Sequence, residues 1–159
     1  MATKISAGLL LFRNTGSGIE VLLAHPGGPF FKNKDDGAWS IPKGVSDPEE
    51  DLLQRARIEF EEELGIKPPA SAPIPIGSVR QKGGKTVHAW AVQGDLPDEF
   101  ETRSNTFELE WPPRSGKMQS FPEVDRAQFF TIEEAALKIN PAQKEFLDRL
   151  ETVIKQGEL

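Results

Sequence analysis

Four glutamates crowd five positions of this chain, at Glu59, Glu61, Glu62 and Glu63, and the apolar residues threaded among them leave room for one local structure. Leu53, Ala56, Phe60 and Leu64 recur at helical spacing. On a helix they fall within roughly 60° of one another, a stripe that has to be buried. Glu59, Glu62 and Glu63 are spaced i, i+3, i+4, which gathers three carboxylates on one helix face. That face centres about 130° from the stripe, toward a cleft or solvent. Glu61 lies roughly 100° or more from each of the other three and reads as solvated. Three anions side by side repel, and near the C-terminal end of a helix the macrodipole opposes them further. A local rule broken with no structural gain marks a place to look for function. A hard divalent cation, Mg²⁺ or Mn²⁺, is the simplest remedy, because every ligand offered is an oxygen.

The helix has signals at both ends. Asp47 is a good N-cap, Pro48 suits the first helical position, and Glu50 can close a capping box. Gly65 reads as the C-terminal stop, with Ile66 as its hydrophobic closure. Upstream, residues 4–13 and 19–25 are apolar runs around a turn and read as strands. Residues 26–37 read as a loop, Ala38–Ile41 as a short strand and Pro42-Lys43-Gly44 as a turn. Downstream of a proline-rich connection, Ile76–Lys82 and Thr86–Gln93 form a hairpin through Gly83-Gly84. Residues 94–104 are a polar loop, Phe107–Trp111 alternates like a strand, and Pro112–Lys117 is a loop. Ala127–Phe130 reads as a last strand. Two helices follow, Ile132–Ile139 from N-cap Thr131 and Ala142–Lys155 after Pro141. Helices interleaved with strands predict a layered α/β fold, and 159 residues suit one domain over 1–159.

Bulk properties exclude several classes. A net charge of −6 argues against a general binder of nucleic-acid polymers or anionic membranes. No cysteine means no disulfide, zinc–thiolate site or thiol nucleophile. Leu9–Phe12 is too short to span a bilayer, and its flanks do not resemble a signal peptide. A cytoplasmic protein is the expectation. His25 and His88 have no ligand partner nearby in sequence and are expected to be structural.

The stretch Gly44–Ile66 resembles the Nudix box, G-x5-E-x7-R-E-U-x-E-E-x-G-U, with U a bulky apolar residue. Gly44, Glu50, Glu59, Phe60, Glu62, Glu63, Gly65 and Ile66 match in register. The lead-in Trp39-Ser40-Ile41-Pro42-Lys43 is similar too, and the order of elements extends the likeness to most of the chain. The departure is Ile58, where the family has an arginine that holds the neighbouring glutamate. Arg55, four residues before Glu59 on the acidic face, is the candidate stand-in, whereas Arg57 points about 160° away from Glu59.

The resemblance implies a Nudix-type α/β/α sandwich with a mixed sheet. It implies a Mg²⁺-dependent hydrolase, Mn²⁺ being possible, of a nucleoside diphosphate linked to another group, with dinucleoside polyphosphates ahead of nucleoside triphosphates. By position, Gly44, Glu59, Glu62 and Glu63 hold the metal. Glu59, Glu62, Arg55 and a downstream acid carry catalysis. That acid is Glu123, with Glu108 and Glu110 as rivals. Glu50 is read as a cap. Lys43, Lys82, Trp111 and Arg114 are candidates for holding phosphate or base. The family's frequent base-stacking tyrosine is missing, since the chain has no tyrosine, so stacking falls to tryptophan, phenylalanine or arginine. The alternative reading is a Nudix-like nucleotide-binding or regulatory domain weakened in catalysis by Ile58.

Overall fold

The computed structural model describes residues 4–97 and 100–157. In chain order its elements are β1 (Ile5–Thr15), β2 (Gly18–Pro26), β3 (Lys43–Val45), α1 (Leu52–Leu64), β4 (Ile74–Gln81) and β5 (Lys85–Gln93). Then follow β6 (Thr106–Glu110), β7 (Met118–Pro122), β8 (Val124–Thr131), α2 (Ile132–Lys138), a 3₁₀ turn at Pro141–Gln143 and α3 (Glu145–Lys155).

β1 organises the sheet because it is buried without a break from Ser6 to Phe12. A strand covered on both faces needs a layer on each. Its alternate side chains separate into two cores. Leu10 and Phe12 join Val21, Leu23, Trp39, Phe130, Phe146 and Leu150 under α2 and α3. Ala7, Leu9 and Leu11 join Leu22, Ala56, Phe60 and Leu64 under α1. The result is helix, sheet, helix. Each large side chain fully buried in these layers contributes about 1.5–3 kcal/mol. The main sheet runs β4-β5-β1-β2-β8 and is mixed: β1 and β5 are parallel, and the other pairs are antiparallel.

β5 occupies one edge of β1 from Ile5 to Phe12. The other edge is shared. β2 takes it from Phe12 to Thr15, and β3 takes it from Ser6 to Gly8. This fork sets Gly44, opposite Ala7, beside the acidic end of α1.

Several boundaries differ from the sequence reading. Lys43-Gly44 is strand, not turn, because Ala7 and Gly8 offer it a backbone edge. Ala38–Ile41 reduces to single bridges, Ser40 to Ala24 and Trp39 to Ile139. The N-cap of α1 is Asp51, not Asp47: its side chain accepts from the amides of Leu53 and Gln54. Glu50 still accepts from the Asp47 amide at 2.8 Å, so the expected cap pair survives as a turn ahead of the helix. β4 begins at Ile74, taking in Pro75 where its register shifts against β5. β7 had no forecast; it pairs with β6 in a separate two-stranded sheet. The last helix starts at Glu145, after the 3₁₀ turn. Thr131 caps α2 through a full capping box with Glu134. Among the described residues no helix is long and apolar enough to cross a membrane.

Candidate functional site

The site begins with how α1 ends. Ala56, Phe60 and Leu64 are fully buried and fix the helix rotation, so Glu59 and Glu63 turn toward β3. Gly65 stops the helix in a left-handed conformation, φ 77°, its N–H on the Glu61 carbonyl. Beyond it the chain returns along the helix end. Arg103 N–H donates to the Leu64 carbonyl and Asn105 N–H to the Glu62 carbonyl. The ladder continues: the Glu123 amide donates to Asn105, and the Gly27 amide to Glu123. Glu123 is thereby tied through one residue to the acidic helix.

Gly44 shows why this position takes no side chain. A Cβ there would sit 1.9 Å from the carboxyl carbon of Glu59, well inside contact distance. The bare backbone lets the carboxylate lie against β3. From the other side Arg55 holds Glu59, its Nη1 donating to Oε1 at 3.2 Å. Arg55 is itself anchored by Glu50, Nη2 to Oε2 at 2.6 Å. Glu50 thus props the arginine instead of capping α1. Arg57 is exposed, as its angle requires.

Glu63 is more enclosed. It accepts from the Lys43 amide at 2.9 Å, and burial pushes its carboxyl up to about 8 despite the Lys43 ammonium nearby. Burial likewise pushes Lys43 below its ordinary value, against the pull of Glu63 and Glu59. Glu59 is raised by burial and then by repulsion from Glu62, with Arg55 opposing and Glu123 adding to the rise. Four carboxylates therefore feel one another here: Glu59, Glu62, Glu63 and Glu123.

Among the described residues no three His, Cys, Asp or Glu side chains converge into a ready-made cage. The donor set nonetheless fits a hard divalent cation. It is all oxygen, negative in excess of Arg55 and Lys43, and lies against a glycine whose missing Cβ keeps it accessible. His25 is not a competing ligand. It is fully buried between Asp125 and the Lys34 carbonyl, 2.7 Å from each.

Lys43, Glu63 and Glu123 line one cleft of about 270 Å³ together with Gln81, Asn140 and Gln143. Gln143 is fully buried and pins the cleft wall, accepting from the Ile41 amide and donating to Ser40 and Gln81. Sequence reasoning missed Asn140 and Gln143, because a polar pair after a helix carries no signal until the fold brings it to the cleft. The other sequence candidates lie elsewhere. Lys82 is exposed in the β4–β5 turn. Glu108 and Glu110 are exposed on β6, and Glu110 accepts from the Arg114 amide. Trp111 lines a second cavity, while Arg114 is exposed at φ 62°.

Comparison with known proteins agrees with this architecture. A family model described as NUDIX domain matches residues 2–150. No curated protein sequence gives a significant match. A C. elegans Ap4A hydrolase in a binary complex is similar in fold, at TM-score 0.68 and 22% identity, covering 95% of this chain and 98% of that one. The NUDIX domain of Shewanella oneidensis NrtR complexed with ADP ribose gives TM-score 0.64 at 14% identity, covering 97% and 90%. The MutT protein from Methanosarcina mazei Go1 gives 0.60 at 20%, covering 96% and 95%. At these identities the structures speak for the fold alone.

Proposed function

The chain belongs to the NUDIX family and is a hydrolase of phosphorus-containing acid anhydrides, and from that premise we propose that it is a Mg²⁺-dependent, Mn²⁺-tolerant pyrophosphohydrolase of nucleotides. The substrate class is a nucleoside diphosphate linked to another group, with dinucleoside polyphosphates ahead of nucleoside triphosphates. The family match over residues 2–150 supports one domain across most of this chain. The observation that carries the reading is the cleft lined by Lys43, Glu63 and Glu123, with Glu59 packed against Gly44 next to Lys43. The nucleotide class is proposed by analogy with proteins of similar fold, one named as an Ap4A hydrolase and one complexed with ADP ribose.

In this reading Glu59, Glu62, Glu63 and the Gly44 backbone hold the cation. When bound, it neutralises phosphate oxygens and stabilises the leaving phosphate. Lys43, partly desolvated, adds a positive charge on the phosphate chain. Glu123, across the cleft, accepts the proton of the water that attacks phosphorus; the new P–O bond forms as the bridging P–O bond breaks. Arg55 acts through Glu59 by fixing its carboxylate. Ile58 is the sequence feature that favours a catalytically weakened domain, and the Arg55–Glu59 pair supports the active reading against it.

The decisive measurement is product analysis with Mg²⁺ over nucleoside triphosphates, dinucleoside polyphosphates and nucleotide sugars, in ¹⁸O water to mark the attacked phosphorus. No product from any of them, with a melting temperature unmoved by Mn²⁺, would overturn the proposal. Arg55→Ala is expected to raise the Mg²⁺ concentration for half-maximal activity by about 10–100-fold, the usual cost of losing a group that orients a ligand. An unchanged Mg²⁺ titration would reject the role given to Arg55.

A further inference from the structure

Where β8 begins against the end of β2, the pairing of the two strands slips by one residue. From Glu20 opposite Thr131 to His25 opposite Arg126 they keep one register, but Pro26 lies opposite Val124. Asp125 is therefore an extra residue, a β-bulge, and bulges next to functional sites re-aim side chains. The core records the slip. Val124, Ala127 and Phe129 all pack into the α1-side core, a spacing of three and then two where an unbroken strand allows only twos. The shifted register runs on to Glu123, whose carbonyl accepts from the Gly27 amide at 3.0 Å. The strands are so close there that a Cβ on Gly27 would meet the Pro122 carbonyl oxygen at 2.0 Å. A one-residue slip exchanges the two faces of a strand. Without the bulge Glu123 and Val124 would each point the opposite way, an acid into the α1-side core and a valine out of it. With the bulge, Glu123 lines the cleft alongside Lys43 and Glu63.

The side chain of the extra residue holds the bulge. Asp125 Oδ1 lies 2.7 Å from Nδ1 of His25, a histidine with no exposed surface. The other ring nitrogen, Nε2, donates at 2.7 Å to the Lys34 carbonyl, an oxygen that can only accept. The ring stands edge-on to Trp39 at 5.1 Å between centres, which fixes its plane. Arg126 Nε adds a looser contact to the same Asp125 oxygen at 3.7 Å. His25 does not line the cleft, but its two partners are joined to the walls. Lys34 closes a turn onto the Phe31 carbonyl, and Asp125 follows Glu123 and Val124. Phe31, Glu123 and Val124 all line the cleft. Removing either partner of His25 leaves a buried ring nitrogen unpaired, which costs more than the bond itself.

Resting on the pyrophosphohydrolase reading above, in which Glu123 accepts the proton of the attacking water, we propose that His25 and Asp125 are positioning residues for Glu123. The buried pair locks the bulge, and the bulge aims Glu123 into the cleft. Neither residue touches the cation or the substrate. The cation ligands stand on β3 and α1, where Arg55 and the Lys43 amide hold them independently of β8. The pair therefore governs proton removal and leaves cation binding alone.

The test reads kcat, KM and half-saturating Mg²⁺ on the nucleotide cleaved fastest in the panel above. The variants are Asp125→Ala, Asp125→Asn, His25→Gln, Glu123→Gln and the combination of Asp125→Ala with Glu123→Gln. Asp125→Ala lowers kcat about 10–100-fold, the scale of a displaced reacting group, and moves KM and half-saturating Mg²⁺ by less than about threefold. Asp125→Asn keeps most of kcat, because an amide meets Nδ1 as donor or as acceptor. His25→Gln, whose amide reaches the Lys34 carbonyl but gives Asp125 no partner, repeats the loss and serves if Asp125→Ala does not fold. In the Glu123→Gln background Asp125→Ala costs no further kcat, since the group it aims is gone. The same loss in both backgrounds, or parental kcat in a folded Asp125→Ala, overturns the proposal. Parental turnover by Glu123→Gln overturns it too and leaves the hydrolase reading standing. If the parent cleaves no nucleotide, the hydrolase reading fails, and amide hydrogen exchange decides the lock. In Asp125→Ala the Gly27 amide then exchanges on the order of tenfold faster, while the far end of the strand pair, around Val21 and Phe130, keeps the parental rate. An unchanged Gly27 rate, or equal acceleration at both ends, overturns the lock.

Discussion

Glu62→Gln is expected to lower kcat on the best pyrophosphate substrate on the order of 10³-fold while leaving the fold intact. The magnitude follows from the cation's share of transition-state stabilisation, several kcal/mol, at about 1.4 kcal/mol per tenfold in rate. Glutamine keeps the shape of the side chain. The backbone bond that matters here, Asn105 N–H to the Glu62 carbonyl, is untouched. The substitution removes one negative charge from a group that repels Glu59. Glu59 then ionises more easily, yet the cleft holds a cation less well. Glu61→Gln is the control. Glu61 is exposed and angularly apart, so its loss should change kcat by less than about twofold, in line with a solvated surface charge. Steady-state kinetics across a Mg²⁺ series, with circular dichroism for the fold, read both variants. Near-parental turnover of Glu62→Gln at saturating Mg²⁺ would refute its place among the ligands.

What the sequence made legible was whatever depends on local periodicity. The stripe Ala56, Phe60 and Leu64 is buried as its spacing demands, and the layered α/β arrangement follows from strands and helices in alternation, while the mixed sheet came from the family resemblance. The pairing of Arg55 with Glu59 came from an i, i+4 argument and stands in the structure. The misses share a different origin. β3 exists because β1 has a vacant edge at Ser6–Gly8, and no property of Lys43-Gly44-Val45 announces that. β7, reading MQSFP, is almost wholly exposed and shows no buried alternation. Asp47 and Asp51 are equally good caps by type, and Arg55 settles the matter by drawing Glu50 out of the first turn. The assembly of Glu123 with the acidic helix is likewise nonlocal. It depends on a backbone ladder through Asn105 that sequence spacing cannot display.

Glu63 carries the second large effect, and its sign is unusual. Replacing an acid with glutamine in a functional cleft should make the protein more stable, provided divalent cations are chelated and the pH is near 8. Burial raises the folded-state carboxyl from 4.5 to about 8. Below the unfolded value the group is neutral in both states and costs nothing. Between about 4.5 and 8 the unfolded chain loses this proton while the folded chain keeps it, so native stability falls as pH rises across that window. Above about 8 both states are charged and the loss levels off. Glutamine has no proton to lose, and its oxygen can still accept from the Lys43 amide. The stability gap between Glu63→Gln and parent should therefore widen from about pH 5 to pH 8. It should reach roughly 1–3 kcal/mol, a fraction of the full shift at 1.4 kcal/mol per pH unit, because the cleft is open to water. Urea denaturation at pH 5 and 8 in chelator measures it, and a gap independent of pH would contradict the assignment. Adding Mg²⁺ at pH 8 should reverse the order. The parent brings one more carboxylate charge to the cation than the variant, which keeps Glu59 and Glu62, so the parent's midpoint should rise by more. A carboxylate that weakens the chain until a cation arrives is how a binding site, as distinct from a solvated helix face, behaves.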